Sequence, residues 1–360
     1  MGLKNINGGL SLYAGKKVFV TGHTGFKGSW LTYILKQLGA DIRGFSLEME
    51  TNPNHFKLLN LKNGIDHIIG DILELSSLEK ALKDYQPDFV FHLAAQAIVK
   101  DSYDDPVKTF NTNIMGSVNL LEAVRKCNSV RSLVYITSDK CYENSEWIWG
   151  YRENDQLGGH DPYSASKGSS ELVFSAYFRS FLSSRKNLGA ATARAGNVIG
   201  GGDWALNRII PDCIRSIEKN IPIKLRNPNA TRPWQHVLEP LNGYLMLGSH
   251  LYSNPEDYSG SWNFGPSTSE VLTVRQVAED IVSYIGRGSI EVEKKQENQH
   301  EANLLQLNCD KAKQILEWSP RWSPKKTISS TAKWYKVYLD GGDVESCTKE
   351  QIYDFFQELS

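Results

Sequence analysis

An α/β fold built on a parallel sheet is predicted by three features of the sequence. Lys17-Val18-Phe19-Val20-Thr21, a short β-branched and aromatic run, passes straight into the glycine turn Gly22-His23-Thr24-Gly25-Phe26-Lys27-Gly28 and then into a helical pattern over Ser29–Leu35. Further apolar runs alternate with helical periods through the first half of the chain, the pattern of a parallel sheet covered by helices on both faces. The chain has 360 residues, more than one ordinary domain, and its regularity breaks at Gly200, so a smaller lobe is expected to follow.

The elements follow in order. Asp41–Phe45 reads as the second strand, His67–Gly70 as the third, Phe89–Leu93 as the fourth, Ser132–Thr137 as the fifth and Ala190–Ala195 as the sixth. Helices are expected near Leu75–Tyr85, Val107–Cys127 and Tyr163–Leu182. Beyond Gly200 come a Gly-rich loop, a helix at Ile209–Lys219, a strand at Ile221–Arg226 and a Pro-rich link at Asn227–Pro233. Ser261–Gly265 is expected to return to the main sheet, while Val274–Ile285, Ser289–Glu293 and Asp310–Trp318 continue the lobe. The division is a doubly wound domain over 15–198 with a return segment about 235–266, a C-terminal substrate-binding lobe over 199–234 and 267–340, and a peripheral tail over 341–360. There is no internal repeat.

Composition removes several function classes. Lysine and arginine number 40 against 41 aspartates and glutamates, which leaves no basic footprint for nucleic acid. No apolar stretch approaches the roughly 20 residues that span a bilayer. Met1–Ala14 is polar and Gly-rich, without the apolar centre of a signal peptide. Cys127, Cys141, Cys213, Cys309 and Cys347 are scattered and odd in number, and neither they nor the eight histidines show metal-ligand spacing, so no metal is expected. Reduced thiols in a cytoplasmic enzyme are expected.

Two motifs carry chemistry. Glycine backbone in a turn between strand and helix approaches a pyrophosphate closely, and the helix start offers free N–H groups and a positive dipole end. Gly22, Gly25 and Gly28 are spaced one residue off the usual dinucleotide fingerprint, in the right strand-turn-helix setting. Farther on, Asp161-Pro162-Tyr163-Ser164-Ala165-Ser166-Lys167 opens a helix with Tyr163 and Lys167 four residues apart, on one face at about 5–6 Å between Cβ atoms. A cation and a helix start near the phenol are expected to lower its pKa and make Tyr163 a base toward an alcohol.

In order and spacing these motifs, with Gly70-Asp71-Ile72, His92-Leu93-Ala94-Ala95-Gln96, Asn113-Ile114-Met115-Gly116-Ser117 and Arg194-Ala195-Gly196-Asn197-Val198, resemble the extended short-chain dehydrogenases that act on nucleotide sugars. The resemblance covers roughly residues 15 to 340 and implies a Rossmann-type fold. It implies that Gly22, Gly25 and Gly28 cradle the cofactor pyrophosphate, with Thr24, Phe26 and Lys27 in the same turn and Ser46 at the end of the second strand. Asp71 and Ile72 would meet the adenine, and Leu93, Ala94 and Ala95 the ribose side, with Thr112 and Thr137 nearby. Lys167 would hold the nicotinamide ribose. No lysine or arginine lies in Ser46–Asn54 to pair a 2′-phosphate, so NAD is favoured over NADP.

The triplet Ser138-Asp139-Lys140, after the fifth strand, narrows the reading. Ser138 suits a sugar hydroxyl. The 4,6-dehydratases of this family carry Ser/Thr-Asp-Glu here, Asp protonating the leaving C6 hydroxyl and Glu taking the C5 proton. The Lys140 version resembles the branch that acts on CDP-glucose, as do Gly22-His23-Thr24-Gly25-Phe26-Lys27-Gly28-Ser29-Trp30-Leu31, Asn197-Val198-Ile199-Gly200-Gly201-Gly202-Asp203-Trp204 and Arg232-Pro233-Trp234-Gln235-His236-Val237. The implied reaction converts CDP-D-glucose to CDP-4-dehydro-6-deoxy-D-glucose and water, on routes to deoxysugars of cell-surface polysaccharides such as the O-antigen of lipopolysaccharide. The catalytic group would be Ser138, Asp139, Lys140, Tyr163 and Lys167. Gln96, Ser138, Asn197, Arg208, Arg232 and Trp234 would hold the substrate, with Arg208 and Arg232 on phosphate; Trp204 is open between pocket and core. The alternatives are a nucleotide-sugar epimerase and a catalytically silent dinucleotide-binding regulator. A homodimer, or a dimer of dimers, is expected through Val107–Cys127 and Tyr163–Leu182, with Val118, Leu121, Val173 and Phe178 at the contact.

Overall fold

The computed structural model describes residues 9–49, 51–266, 271–292 and 304–357. Glu293 of the expected strand and the first residues of the polar N-terminal segment lie outside the described residues. Seven parallel strands form the central sheet: β1 (Lys17–Thr21), β2 (Asp41–Ser46), β3 (Asp66–Ile69), β4 (Phe89–His92), β5 (Ser132–Ile136), β6 (Gly189–Ala195) and, returning late in the chain, Gly260–Phe264. The spatial order is Gly260–Phe264, β6, β5, β4, β1, β2, β3, so the order reverses between β1 and β4. In open parallel sheets that reversal opens a crevice at the carboxyl ends of the strands.

These strands read as near-continuous apolar runs because both faces are buried. Side chains alternate between faces. Val18 and Val20 join one core cluster while Phe19 joins another; Phe89 and Phe91 go one way and Val90 the other; Val134 and Ile136 oppose Leu133 and Tyr135. The helices of this half are α1 (Phe26–Gln37), α2 (His55–Leu58), α3 (Leu75–Tyr85), α4 (Val99–Asp104), α5 (Pro106–Phe110), α6 (Gly116–Lys126) and α7 (Pro162–Tyr177). Leu78 and Leu82 of α3, Leu120 and Val124 of α6, and Phe174 of α7 close one face, while Trp30, Leu31 and Ile34 of α1 close the other.

The expected helix over Val107–Cys127 is interrupted. Between α5 and α6 the chain widens into a π turn at Asn111–Met115, and the Asn113 carbonyl oxygen accepts hydroxyl hydrogen bonds from Ser117 and, at 2.7 Å, from Ser170 of α7. A second π turn, Phe178–Leu182, ends the helix begun at Pro162. Single π turns concentrate at functional sites, and Asn113 also brackets Gln96, accepting from its N–H at 2.9 Å and donating to its carbonyl at 3.0 Å.

The second half supplies β7 (Val198–Ile199), β8 (Ile223–Leu225), β9 (Thr231–Arg232), β10 (Gln235–His236), β11 (the returning Gly260–Phe264), β12 (Leu272–Thr273) and β13 (Ile290–Val292). Its helices are α8 (Ile209–Glu218), α9 (Leu238–Ser253), α10 (Pro255–Tyr258), α11 (Val274–Ile285), α12 (Asp310–Ile315), α13 (Pro324–Leu339) and α14 (Val344–Gln357). Three small ladders, β7 with β10, β9 with β12 and β8 with β13, carry the lobe. One core cluster runs without a break from the sheet into this half, and Trp30 of α1 donates to the Gly201 carbonyl at 2.9 Å.

Two expectations are corrected here. Helix α14, within the segment expected to be peripheral, packs into the core: it buries Ile352, Phe355 and Phe356, and Tyr33 of α1 donates to Glu345 at 3.2 Å. Of the four apolar residues expected at a dimer contact, Leu121 faces the core and the other three are partly buried. Leu121 is fully buried in its own protomer, Val173 and Phe178 pack against the same core, and Val118 is half-buried. The large apolar residues exposed along these segments are Val107, Phe110, Met115, Leu172 and Phe181.

Candidate active site

At the carboxyl ends of β1, β4, β5 and β6 the chain surrounds a cleft of about 1650 Å³ that extends into the lobe. Every residue expected from the sequence to hold cofactor or substrate or to do chemistry lines it, among them Gly22, Thr24, Asp71, Ala94, Thr112, Ser138, Asn197, Arg208, Arg232 and Trp234. Those positions are far apart in sequence, and the β1/β4 reversal is what collects them.

The glycine turn is shaped by its own backbone. Gly22 has φ +72°, and a Cβ there would come within 2.7 Å of the Ala94 nitrogen; a Cβ on Gly28 would come within 2.1 Å of the Gly22 carbonyl oxygen. Gly25 differs. A Cβ there would meet only the Gly22 oxygen at 3.4 Å, so packing within the protein does not require glycine, and this residue faces the cleft at the start of α1. Open space beside free helix N–H groups fits an anionic pyrophosphate. Thr21 accepts from the N–H groups of Leu93 and Ala94 at 3.2 Å each and bonds His92 Nδ1 at 2.7 Å, which folds the β4 loop under the turn. Burial pushes His92 down to about 3, with Lys167 acting in the same direction.

At the end of β2, Ser46 hydrogen-bonds Thr24 hydroxyl to hydroxyl at 2.7 Å, in the place where an acidic residue would accept from a ribose. Asp71 caps its own turn through the Leu73 N–H at 2.9 Å. Ile72 lies against Gly116, where a Cβ would come within 2.4 Å of its Cδ1. The residues of this end are compatible with a bound dinucleotide.

The other end is electrostatic. Ser138 caps the short turn Asp139–Cys141 and donates to Asp139 Oδ1 at 2.9 Å. Asp139 is 3% exposed, and burial raises its pKa against the pull of Lys140, Ser138 and Lys27. Gly196 makes room for it, since a Cβ there would lie 2.9 Å from Asp139 Oδ2. Asp161 caps α7 through the Ser164 N–H at 2.9 Å, and Pro162 opens the helix, which aims Tyr163 and Lys167 into the cleft. The Lys167 ammonium lies 5.8 Å from the Tyr163 ring centre.

The expected downward shift of Tyr163 does not appear in this pocket. Burial dominates and pushes the phenol up to about 12, with Ser138 pulling it back through a hydrogen bond and Asp139 adding to the rise. Lys167 moves the other way, down to about 8, chiefly by burial and against the attraction of Glu171. A buried site disfavours charge on both groups, which is why the phenol rises and the ammonium falls.

Arg208 donates to Asp203 at 3.0 Å, and Arg232 bonds the Thr231 carbonyl at 2.8 Å; both line the cleft. Trp234 lines it too, its indole N–H buried without a hydrogen-bond partner, whereas Trp204 also packs on Trp334, Tyr335 and Tyr338 of α13. Lys27 sits in the glycine turn, yet its ammonium feels Arg208, Asp139 and Lys167, and burial pushes it down to about 8. A lysine on the first turn of α1, in line with the strand ends, was the available signal.

The fold and cleft define a dinucleotide-binding dehydrogenase class, and comparison with known proteins narrows it. The chain belongs to the GDP-mannose 4,6 dehydratase family, whose model matches residues 19–331, within the extended short-chain dehydrogenases. It is 45% identical over 349 residues to a CDP-glucose 4,6-dehydratase of Salmonella typhimurium, covering 96% of this chain and 97% of that one. It is 25% identical to a UDP-glucose 4-epimerase of Mycoplasma genitalium, covering 90% and 97%. Among solved structures, a UDP-glucose 4-epimerase from Thermus thermophilus in complex with NAD superposes with a TM-score of 0.75 at 25% identity, covering 89% and 99%. A dTDP-glucose 4,6-dehydratase from Streptomyces venezuelae with NAD shares the fold, with a TM-score of 0.75 at 20% identity, covering 91% and 99%.

Proposed function

We propose that this protein is an NAD-dependent hydro-lyase that converts CDP-D-glucose to CDP-4-dehydro-6-deoxy-D-glucose and water. The observation that carries the reading is Ser138-Asp139-Lys140 at the end of β5, in one cleft with Tyr163 and Lys167, in a chain 45% identical end to end to a CDP-glucose 4,6-dehydratase. NAD⁺ supplies, when bound, the hydride acceptor for C4 and the hydride returned to C6. Gly25 and the start of α1 would hold its pyrophosphate, and Ser46, with no lysine or arginine at 46–54, suits NAD rather than NADP.

The residues divide the remaining work. Elimination across C5 and C6 is difficult because the C5 hydrogen is not acidic, and a carbonyl at C4 stabilises the carbanion as an enolate. Tyr163 takes the O4 proton as that carbonyl forms, with Ser138 holding the hydroxyl. Lys140 takes the C5 proton, in the place where relatives carry glutamate. Asp139, whose pKa burial raises, donates to the leaving C6 hydroxyl. Arg208 and Arg232 take the pyrophosphate of the sugar nucleotide, with Asn197, Gln96 and Trp234 beside the base and sugar. An epimerase has no use for Asp139 and Lys140 at this place.

Incubation with a panel of nucleoside-diphosphate glucoses tests the reading: a 4-keto-6-deoxy product from CDP-glucose supports it, and a C4 epimer alone overturns it. Deuterium at C4 of the substrate is expected at C6 of the product, without crossover between molecules, and product formed in D₂O carries deuterium at C5. The five cysteines are all buried and unpaired, which suits the cytoplasm. The product would feed deoxysugar synthesis for surface polysaccharides. A homodimer through the exposed apolar side chains of α5, α7 and the π turns beside them completes the proposal, with Val107 and Leu172 at 68% and 62% exposure as its centre.

A further inference from the structure

Beneath the cleft lies a buried ion pair that the reaction scheme does not use. Glu171 of α7 and Arg194 of β6 are 2% and 3% exposed, and the carboxylate is held from four directions. Arg194 donates through Nε to Oε1 at 2.9 Å and through Nη2 to Oε2 at 2.7 Å. Thr137 donates to Oε1 at 2.5 Å and Thr192 to Oε2 at 2.9 Å. Arg194 also reaches the Tyr142 hydroxyl at 2.6 Å, the Glu153 carbonyl at 2.9 Å and Ser261 of β11 at 3.1 Å.

The segments joined this way are those that present the reacting groups. Thr137 immediately precedes Ser138, Asp139 and Lys140; Tyr142 follows them. Arg194 leads into Gly196, which accommodates Asp139, and Asn197. Glu171 lies one helical turn beyond Lys167 and two beyond Tyr163 on α7. A buried ion pair is weak evidence of stability, since well-packed apolar side chains of similar volume commonly hold a core as well or better. Its geometric effect is specific: one carboxylate fixes, relative to one another, the helix that carries Tyr163 and Lys167, the end of β5 that leads into Ser138–Lys140, and β6.

Building on the proposed reaction, we propose that Glu171, clamped by Arg194, Thr137 and Thr192, is a positioning residue that aligns Ser138, Asp139 and Lys140 with Tyr163 and sets its charge one helical turn from Lys167. The charged and titratable groups facing Lys167 are Glu171 and Tyr163 on its own helix, Cys141 after β5, Lys27 of α1 and His92 of β4. Of these, Glu171 is the leading one that favours the ammonium, and burial opposes it. The ammonium exists below its pKa, so wild-type activity is expected to fall as pH rises through about 8.

The test has two arms. Competitive acetylation read by mass spectrometry titrates Lys167 in the full-length protein without substrate; Glu171→Gln is expected to move its midpoint down by about one unit, the size expected for loss of a close opposite charge. The alkaline limb of kcat moves with it, and kcat falls by roughly 10²-fold, as misplacement of a reacting group does, while KM stays within about twofold. Glu171→Gln leaves Arg194 buried without its carboxylate, so Glu171→Met/Arg194→Met provides the second arm: its melting temperature stays near that of the wild type and its kcat falls by roughly 10²-fold. Wild-type kcat in that double variant, or an unmoved Lys167 midpoint in a folded Glu171→Gln protein, overturns the proposal. A moved midpoint in a protein inert toward CDP-glucose sustains the charge-holding role and rejects the substrate instead.

Discussion

The two ends of the cleft are made specific in different ways. At the glycine turn, backbone contact decides: Gly22 and Gly28 are required by approaches of 2.7 and 2.1 Å to other backbone atoms, and a ligand meets N–H groups and empty space. At the reaction end, burial decides. Tyr163 rises, Lys167 and Lys27 fall toward about 8, and Asp139 rises, all from desolvation first. The lesson is that the subsite proposed for the cofactor is written in short-range sterics, whereas the one proposed for proton transfer depends on what surrounds it from several elements.

Substitutions at the two ends are expected to break differently. Tyr163→Phe removes only the phenol oxygen and is expected to lower kcat by about 10³-fold with the melting temperature unchanged, since general-base contributions are of that size. Steady-state turnover of CDP-glucose checks it, and retention of a tenth of wild-type activity would take Tyr163 out of the base role. Asp139→Asn keeps the shape and cannot act as the acid. Elimination should slow by about 10²-fold while the first oxidation proceeds, so reduced cofactor builds up on the enzyme in stopped-flow absorbance; elimination at the normal rate would discharge Asp139 from this role.

A sharper contrast lies inside the glycine turn. Gly28→Ala drives a Cβ into the Gly22 carbonyl and is expected to destabilise the fold by about 3 kcal/mol, as overpacking does, visible in thermal melting. Gly25→Ala is expected to melt normally yet bind NAD roughly tenfold more weakly, about 1.4 kcal/mol by calorimetry. Equal losses of stability in both would erase the distinction between them. The smallest effect on the protomer is expected from Leu172→Glu, which sits at an exposed position: it should change stability by no more than about 0.5 kcal/mol while light scattering reports a monomer.

How much was legible in the sequence follows from the range of each interaction. β1, its turn and α1 were readable because their signals are local, and Leu75–Tyr85 and Val274–Ile285 match their helices end to end since each has a clear apolar stripe. Helix α9 was missed because it is buried almost all round: Leu238, Leu241, Tyr244, Leu245, Leu247 and Leu251 leave no polar face to set a period. The π turn at Asn111–Met115 is stabilised by Ser170, far away in sequence, so a continuous helix was the only local reading.

The sequence alone determined the alternation of strands and helices, the glycine turn, and the residue types of Ser138-Asp139-Lys140 and Tyr163/Lys167, because propensity, turn chemistry and spacing act within a few residues. The tertiary structure decided the rest. It set the strand order that brings both ends into one cleft, turned Lys27 toward Asp139 and Arg208, and drew α14 into the core. It also reversed the expected direction for Tyr163 and joined Glu171 of α7 to Arg194 of β6. Desolvation and long-range ion pairing depend on which elements pack together, and that is known only when the chain is folded.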